Sequence, residues 1–196
     1  MMIKVCGITR HEDAVVAAEA GASAIGFIFY PRSTRYITPA RAAAVGEGLS
    51  LLRVGVFVDE SAAAIDAAMR AAHIDVAQIY GGSTTPGTRV WKGFRVADAI
   101  EPNSGIEEAV GGCEAILLDG IRSGVPFDWR LARGIKGNVI VAGGLNPANV
   151  TDAIRIAQPW GVDASSSLES APGIKDHPRV RAFVKAALSI SGEATY

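Results

Sequence analysis

The chain has 196 residues, of which 49% are hydrophobic and 20% charged, a composition that builds a packed core and excludes disordered and fibrous classes. Its 19 basic and 20 acidic residues leave a net charge of −1 and are mixed along the chain, so no basic stripe exists to follow a nucleic-acid backbone or an anionic membrane. No run approaches the roughly 18 unbroken apolar residues of a membrane span, and nothing marks a linker or second domain, so residues 1–196 are expected to form one domain.

Short β-branched runs alternate with alanine-rich stretches carrying apolar residues three and four apart, the pattern of successive βα units around a parallel sheet. A first strand is predicted over Ile3 to Cys6 and a helix over His11 to Ala20. Then come strand Ala24 to Phe29, helix Pro39 to Leu49, strand Leu52 to Val58, helix Ser61 to Ala72 and strand Val76 to Tyr80. The fifth strand reads from Val90 to Val96 and the sixth from Ala115 to Leu118, followed by a helix over Phe127 to Ile135. Strand Val139 to Ala142, helix Pro147 to Ala157, strand Gly161 to Ala164 and helix Asp176 to Leu188 complete the series. Pro39 and Pro147 fit the first helical position, where a missing N–H costs nothing.

Eight strands favour a closed (β/α)8 TIM barrel over a doubly wound open sheet, and 196 residues lie slightly below the usual range for that barrel. The shortfall falls on the outer ring. Gly81 to Arg89 is too short and too rich in glycine for a normal helix, so helix 4 is reduced or missing. Asp98 to Gly112 allows only about two turns.

The N-terminus, Met-Met-Ile-Lys-Val-Cys-Gly, reads as a strand rather than a secretory signal. Cys6 and Cys113 have no CxxC spacing and suggest no disulfide framework, which suits a reducing compartment and points to the cytoplasm. His11, His73 and His177 are scattered and no metal is expected. Asp13, Asp59 and Glu60 read as helix-start or surface carboxylates without a role.

Active sites of such barrels lie at the C-terminal ends of the strands. Cys6 ends the first strand, with Lys4 on the same face one layer deeper, where an ammonium can lower the thiol pKa and favour a proton-abstracting thiolate. A buried small hydrophobe is the alternative reading. Asp119 ends an apolar run, Ala115 to Leu118. A helix cap or turn former gives the same pattern, but strands 1 and 6 of a closed ring face each other across the mouth, as an acid and a base on one substrate must. Gly143-Gly144 after strand 7 and Ser165-Ser166-Ser167 after strand 8 together suggest a phosphate site built from backbone N–H groups. Arg32 and Arg35, with Tyr30 and Tyr36, sit after strand 2, where a guanidinium fork can take a carboxylate; Arg35 is the stronger candidate.

An ordered set of landmarks resembles the phosphoribosylanthranilate isomerases of tryptophan biosynthesis over nearly the whole chain. It comprises Lys4-Val5-Cys6-Gly7-Ile8-Thr9, Gly26 through Tyr36, Gly55-Val56-Phe57-Val58, Leu118-Asp119 and Phe127-Asp128-Trp129. Ala142 through Val150, Asp163-Ala164-Ser165-Ser166 and Gly173-Ile174-Lys175-Asp176 follow in order. The resemblance implies an Amadori rearrangement without a cofactor: Asp119 protonates the furanose oxygen and Cys6 removes the C2 proton. It further implies Arg35 on the anthranilate carboxylate, with Gly143, Gly144, Ser165 and Ser166 on the phosphate and Asp163 near the site in an open role. The partner is then a phosphorylated small molecule, with monomer and homodimer both open.

Three positions depart from the family pattern. The loop from Gly120 to Pro126 is short, lacking the usual Gly-Thr-Gly cover; Gln78-Ile79-Tyr80-Gly81 stands for Gln-Leu-His-Gly; and Ser167 replaces a glycine after the paired serines. A related barrel isomerase of histidine biosynthesis typically carries aspartate where Cys6 stands, which argues against that reading. Two rivals remain: a non-catalytic phosphate-binding barrel acting as a scaffold, and a Schiff-base aldolase using Lys92.

Overall fold

The structure is a computed structural model that describes residues 1–81, 88–97, 99–101, 104–121 and 124–191. Eight parallel strands close on themselves in sequence order: β1 (Met2–Cys6), β2 (Ala24–Ile28), β3 (Leu52–Val58), β4 (Val76–Tyr80), β5 (Val90–Val96), β6 (Ala115–Gly120), β7 (Val139–Ala142) and β8 (Gly161–Ala164). The open-sheet alternative is therefore set aside, because β1 pairs with β2 on one side and with β8 on the other.

Outside the barrel lie α1 (His11–Ala20), α2 (Pro39–Val45), α3 (Ala62–Ala72), α4 (Ile106–Val110), α5 (Val150–Ala157) and α6 (His177–Ser191). Their starts follow from local chemistry. Thr38 accepts a hydrogen bond from the Arg41 N–H at 3.3 Å and Pro39 takes the first turn of α2, while Ser61 caps α3 through the Ala64 N–H. Helix α3 stops where His73 turns left-handed, at φ 52°.

Two expected helices are corrected. The stretch Phe127 to Ile135 forms only a 3₁₀ turn over Trp129–Ala132, since Arg133 is extended and Gly134 adopts φ +98°. Pro147 does not open α5, which begins at Val150; Asn146 instead accepts the Val150 N–H and bonds the Ala148 N–H through its side chain, making a turn ahead of the helix. Among the described residues no helix lies between Tyr80 and Val90; residues 82–87 of the expected helix-4 gap, and Asp98, Pro102, Asn103, Arg122 and Ser123 of the two other short connections, lie outside the described residues.

A small antiparallel hairpin, β9 (Glu169–Ala171) and β10 (Ile174–Lys175), follows β8 and was not legible from periodicity, being two and three residues long.

Period-two alternation divides each strand between two cores. Ile3, Val5, Ile25, Phe27, Ile116, Leu118, Val139, Val141 and Val162 face outward and pack with the helices around Phe183 and Val184. Met2, Ala24, Val54, Val76, Trp91, Ala115, Leu117, Ile140 and Ala142 face inward and fill the barrel. Trp91 is fully buried there and meets Trp160 edge-on, with ring centroids 5.9 Å apart. Above this apolar plug the inward positions turn polar, and that change of character along the barrel axis positions the site.

Candidate active site

The next inward layer holds Lys4, Gln78 and Asp163, and the mouth above it holds Cys6, Tyr80, Arg95 and Asp119. All but Lys4 line one cavity of ≈ 580 Å³ that also reaches Arg35, Gly143, Gly144, Ser165 and Ser166. Arg32 and Lys92 do not line it, whereas Cys6, Arg35, Asp119, Gly143, Gly144, Asp163, Ser165 and Ser166 thus face the same space. They come from five separate segments of the chain, and closure of the barrel is what collects them.

Lys4 is fully buried, and its Nζ lies 2.9 Å from Asp163 Oδ2, directly across the β1–β8 register. Both Lys4 and Cys6 lean over Gly26: a Cβ there would come within 2.7 Å of Cys6 Sγ and 3.1 Å of Lys4 Nζ. Burial pulls the Lys4 ammonium toward neutrality, but Asp163 and Cys6 outweigh it and leave its pKa raised. Burial likewise pushes the Cys6 thiol above its ordinary value, with Lys4 opposing and Asp163 adding to the rise. The expectation that Lys4 would leave Cys6 a depressed pKa is therefore corrected: Lys4 pulls in that direction, and desolvation is the larger effect.

Asp119 stands at the end of β6. Burial raises its carboxyl above the usual range, with Arg95 opposing, Asp163 adding and Tyr80 opposing through a hydrogen bond. The Tyr80 hydroxyl donates to Asp119 Oδ2 at 3.3 Å, and Arg95 Nη1 lies 3.4 Å from the same oxygen. Two titratable groups, both shifted upward by burial, thus share one cavity, a carboxyl on β6 and a thiol on β1.

Arg35 reaches the rim from the loop after β2. Its Nε and Nη2 both donate to the Glu169 carboxylate at 2.7 Å, and Lys175 Nζ donates to Glu169 Oε1 at 2.9 Å and to the Ser165 carbonyl at 3.1 Å. Burial alone would raise the Glu169 pKa, yet Arg35 and Lys175 hold it below the ordinary value. Burial lowers that of Lys175 despite its partner. The β9–β10 hairpin that carries Glu169 and Lys175 thereby fixes both the guanidinium and the loop after β8.

Gly143 and Gly144 adopt φ +81° and +69°, a left-handed pair that side-chain-bearing residues rarely take. A Cβ on Gly144 would also strike Pro126 N at 2.6 Å, so the loop after β6 lies against the loop after β7. Ser165 Oγ, Asp163 Oδ1 and Gln78 Oε1 are buried without a hydrogen-bond partner among the described residues, leaving three polar atoms on cavity-lining residues for which a bound molecule is a natural partner.

Sequence reasoning noted Gln78 and Tyr80 only as part of a departure from the family pattern and missed Arg95, although the rule that selected Cys6 and Asp119 applies to them: each is an inward position at or near a strand end. It also missed Glu169 and Lys175, for which no period existed to read. Asp13 is corrected outright. Rather than an idle helix-start carboxylate, it is fully buried and bonds Arg10 at 2.7 and 3.0 Å, His177 at 2.9 Å and the Lys175 N–H at 3.1 Å. Lys92 is on the other face of β5 from Trp91 and Arg95, donates to the Gly81 carbonyl at 2.6 Å and does not line the cavity, which removes the geometric basis for an aldolase. Among the described residues there is no group of three or more histidine, cysteine or carboxylate side chains able to hold a metal ion, and no helix long and apolar enough to cross a membrane.

Residues 3–186 match the model of the N-(5′-phosphoribosyl)anthranilate isomerase family. The chain belongs to that family. It is similar to the N-(5′-phosphoribosyl)anthranilate isomerase of Solibacter usitatus, at 44% identity over 202 residues covering 98% of this chain and 100% of that one. Among solved structures of the family it resembles monomers of the dimeric enzyme from Thermotoga maritima, with a TM-score of 0.84 and 35% identity over 96% of this chain and 99% of the other. A second, at TM-score 0.83 and 35% identity with the same coverage, is a complex with reduced 1-(o-carboxyphenylamino)-1-deoxyribulose 5-phosphate.

Proposed function

We propose that the chain catalyses the Amadori rearrangement of N-(5′-phosphoribosyl)anthranilate to 1-(o-carboxyphenylamino)-1-deoxyribulose 5-phosphate in tryptophan biosynthesis, with Asp119 as general acid and Cys6 as general base. The observation that carries the assignment is the placement of these two groups on β6 and β1, lining one cavity beside an anion-suited pair of loops. Family membership over residues 3–186 and the analogue bound by a relative support the choice of substrate.

Asp119, whose carboxyl burial raises above the usual range, gives its proton to the furanose ring oxygen; the C1–O bond breaks and the anthranilate nitrogen's lone pair forms the C1=N bond. This protonated Schiff base is cationic. Beside Cys6 it favours the thiolate and acidifies the C2 hydrogen, offsetting the burial that raises the thiol. The thiolate takes the C2 proton, the C–H electrons form the C1=C2 bond as the C1=N pair returns to nitrogen, and the resulting enolamine tautomerises to the ketone. Lys4 and Asp163 form the charged floor beneath the sulfur. Arg35, pinned by Glu169 through Nε and Nη2, has Nη1 left for the anthranilate carboxylate. The N–H groups of Gly143, Gly144, Ser165 and Ser166 hold the phosphate.

The whole chain acts as one domain, since barrel strands run from Met2 to Ala164 and α6 packs back on α1 and α5. Two free thiols suit a cytoplasmic setting. A phosphate-binding scaffold would need neither Cys6 nor Asp119. The decisive assay follows the loss of anthranilate-type fluorescence when the protein meets freshly made N-(5′-phosphoribosyl)anthranilate. Wild type is expected to turn it over, while Cys6→Ser and Asp119→Asn each lose at least about 100-fold in kcat, the usual worth of a positioned acid or base. A wild type that binds a product analogue without turnover overturns the reading in favour of a scaffold.

A further inference from the structure

Tyr80 has no assigned part in the chemistry above, and its surroundings are built. It is the last residue of β4 and faces inward one layer above Gln78. Gln78 Nε2 donates to Tyr80 Oη at 3.2 Å, which occupies an oxygen lone pair and leaves the phenolic hydrogen for Asp119 Oδ2, 3.3 Å away. The ring is seated by Gly93 on β5, where a Cβ would lie 2.6 Å from the ring's Cε1, and is flanked by the Arg95 guanidinium 5.5 Å from its centroid. Burial, then Asp119 and Asp163, push the phenol well above its ordinary pKa, so it stays a donor throughout the pH range of an assay. Where the family pattern described above has histidine at this strand end, this chain has a phenol.

We propose that Tyr80 is a positioning residue for the acid step: Gln78 aims its hydroxyl at Asp119, and the O–H bond to Asp119 strengthens as the carboxyl gives up its proton. The inference rests on the isomerase reading. A hydrogen bond to a carboxylate is stronger than one to a neutral carboxylic acid, so this contact favours the state in which the proton has left Asp119 and the ring oxygen has received it. It stabilises the barrier more than the bound substrate and therefore acts on kcat rather than on KM. Gln78 contributes direction, since without its N–H the hydroxyl is free to rotate away. The charged groups around the carboxyl are Arg95 on β5, Asp163 on β8 and Lys4 on β1, and all remain in the test variant.

The experiment is steady-state kinetics across pH with wild type, Tyr80→Phe and Tyr80→His. Phenylalanine keeps the ring over Gly93 and removes only the donor; histidine can restore an N–H. For Tyr80→Phe, kcat is expected to fall about 10-fold, the lower end of what a bond to a charged group supplies, with KM within about 2-fold. The limb of kcat/KM that reports Asp119 moves to higher pH, because loss of a donor makes the carboxyl harder to ionise. Tyr80→His is expected to recover most of the lost kcat. An unchanged kcat and unchanged limb in Tyr80→Phe overturn the proposal. So does a fall shared equally by kcat and 1/KM with the limb unmoved, which marks a packing role. A wild type with no turnover sinks the isomerase reading itself, and is told apart because it appears before any variant is compared.

Discussion

Lys4→Met tests the charged floor of the site most directly. The substitution keeps an unbranched side chain of similar length, removes the ammonium and leaves Asp163 with neither of its carboxylate oxygens bonded, since Oδ1 is already buried without a partner. Breaking a buried ion pair from one side costs about 3–5 kcal/mol, which for a chain of this size lowers Tm by roughly 6–20 °C. The double variant Lys4→Met/Asp163→Asn is expected to recover much of that loss, because the penalty belongs to the unpaired charge rather than to the missing attraction. The same change removes Lys4, which opposes the rise in the Cys6 pKa more than Lys175 does. In a Cys113→Ser background, iodoacetamide should therefore alkylate Cys6 of Lys4→Met more slowly, with its pH midpoint displaced upward. Thermal unfolding and alkylation together check the reasoning. A Lys4→Met protein with wild-type Tm and wild-type alkylation would show that the pair neither bears on stability nor tunes the thiol, and the account of the floor would be wrong. The wild-type sign is also fixed: the Lys4 pKa is raised on folding, so its contribution is fully present below the unfolded value near 10.4 and is lost as pH rises through the folded one.

Two further outcomes follow from other clusters. Glu169→Gln removes the charge that binds Arg35 through two bonds and Lys175 through a third; KM for the phosphoribosyl substrate should rise about 10-fold, the worth of one charge-assisted bond, and a KM unchanged at equal stability would remove the hairpin from the binding site. Asp13 is held below its ordinary pKa by its bonds to Arg10 and His177 and to the Lys175 N–H, against the opposing effect of burial. Its contribution is present above the unfolded value near 3.9 and lost as pH falls through the lower folded value; urea unfolding between pH 6 and pH 3 should show that slope flattened in Asp13→Asn.

Much of the fold was legible because each strand has only two faces. Five of the eight strands (Leu52–Val58, Val76–Tyr80, Val90–Val96, Val139–Ala142 and Gly161–Ala164) begin and end where the apolar runs do, and α1 spans the stretch its alanines marked. A parallel strand buried on both sides must be apolar along its length, so its limits are written where polar residues resume. The misread helices fall where pattern is a weak guide. Phe127 to Ile135 has helical spacing, but Gly134 and Gly137 adopt positive φ and the chain must turn there into β7. Pro147 is compatible with a first turn, yet Asn146 and Asn149 bond the backbone first.

The sequence by itself determined which residues are candidates for the chemistry and where along a strand they sit. Cys6, Asp119, Gly143, Gly144, Asp163 and Ser165 were found because a strand end in this architecture is a functional address. Only the tertiary structure decided their chemical state. That Cys6 is raised rather than lowered, that Arg35 is already held by Glu169, and that Asp119 shares its oxygen with Tyr80 and Arg95 depend on burial and on partners drawn from distant strands. Residue identity is local, whereas desolvation and Coulomb energy depend on everything within a few ångströms, and 159 positions of chain separate Lys4 from the carboxylate 2.9 Å away.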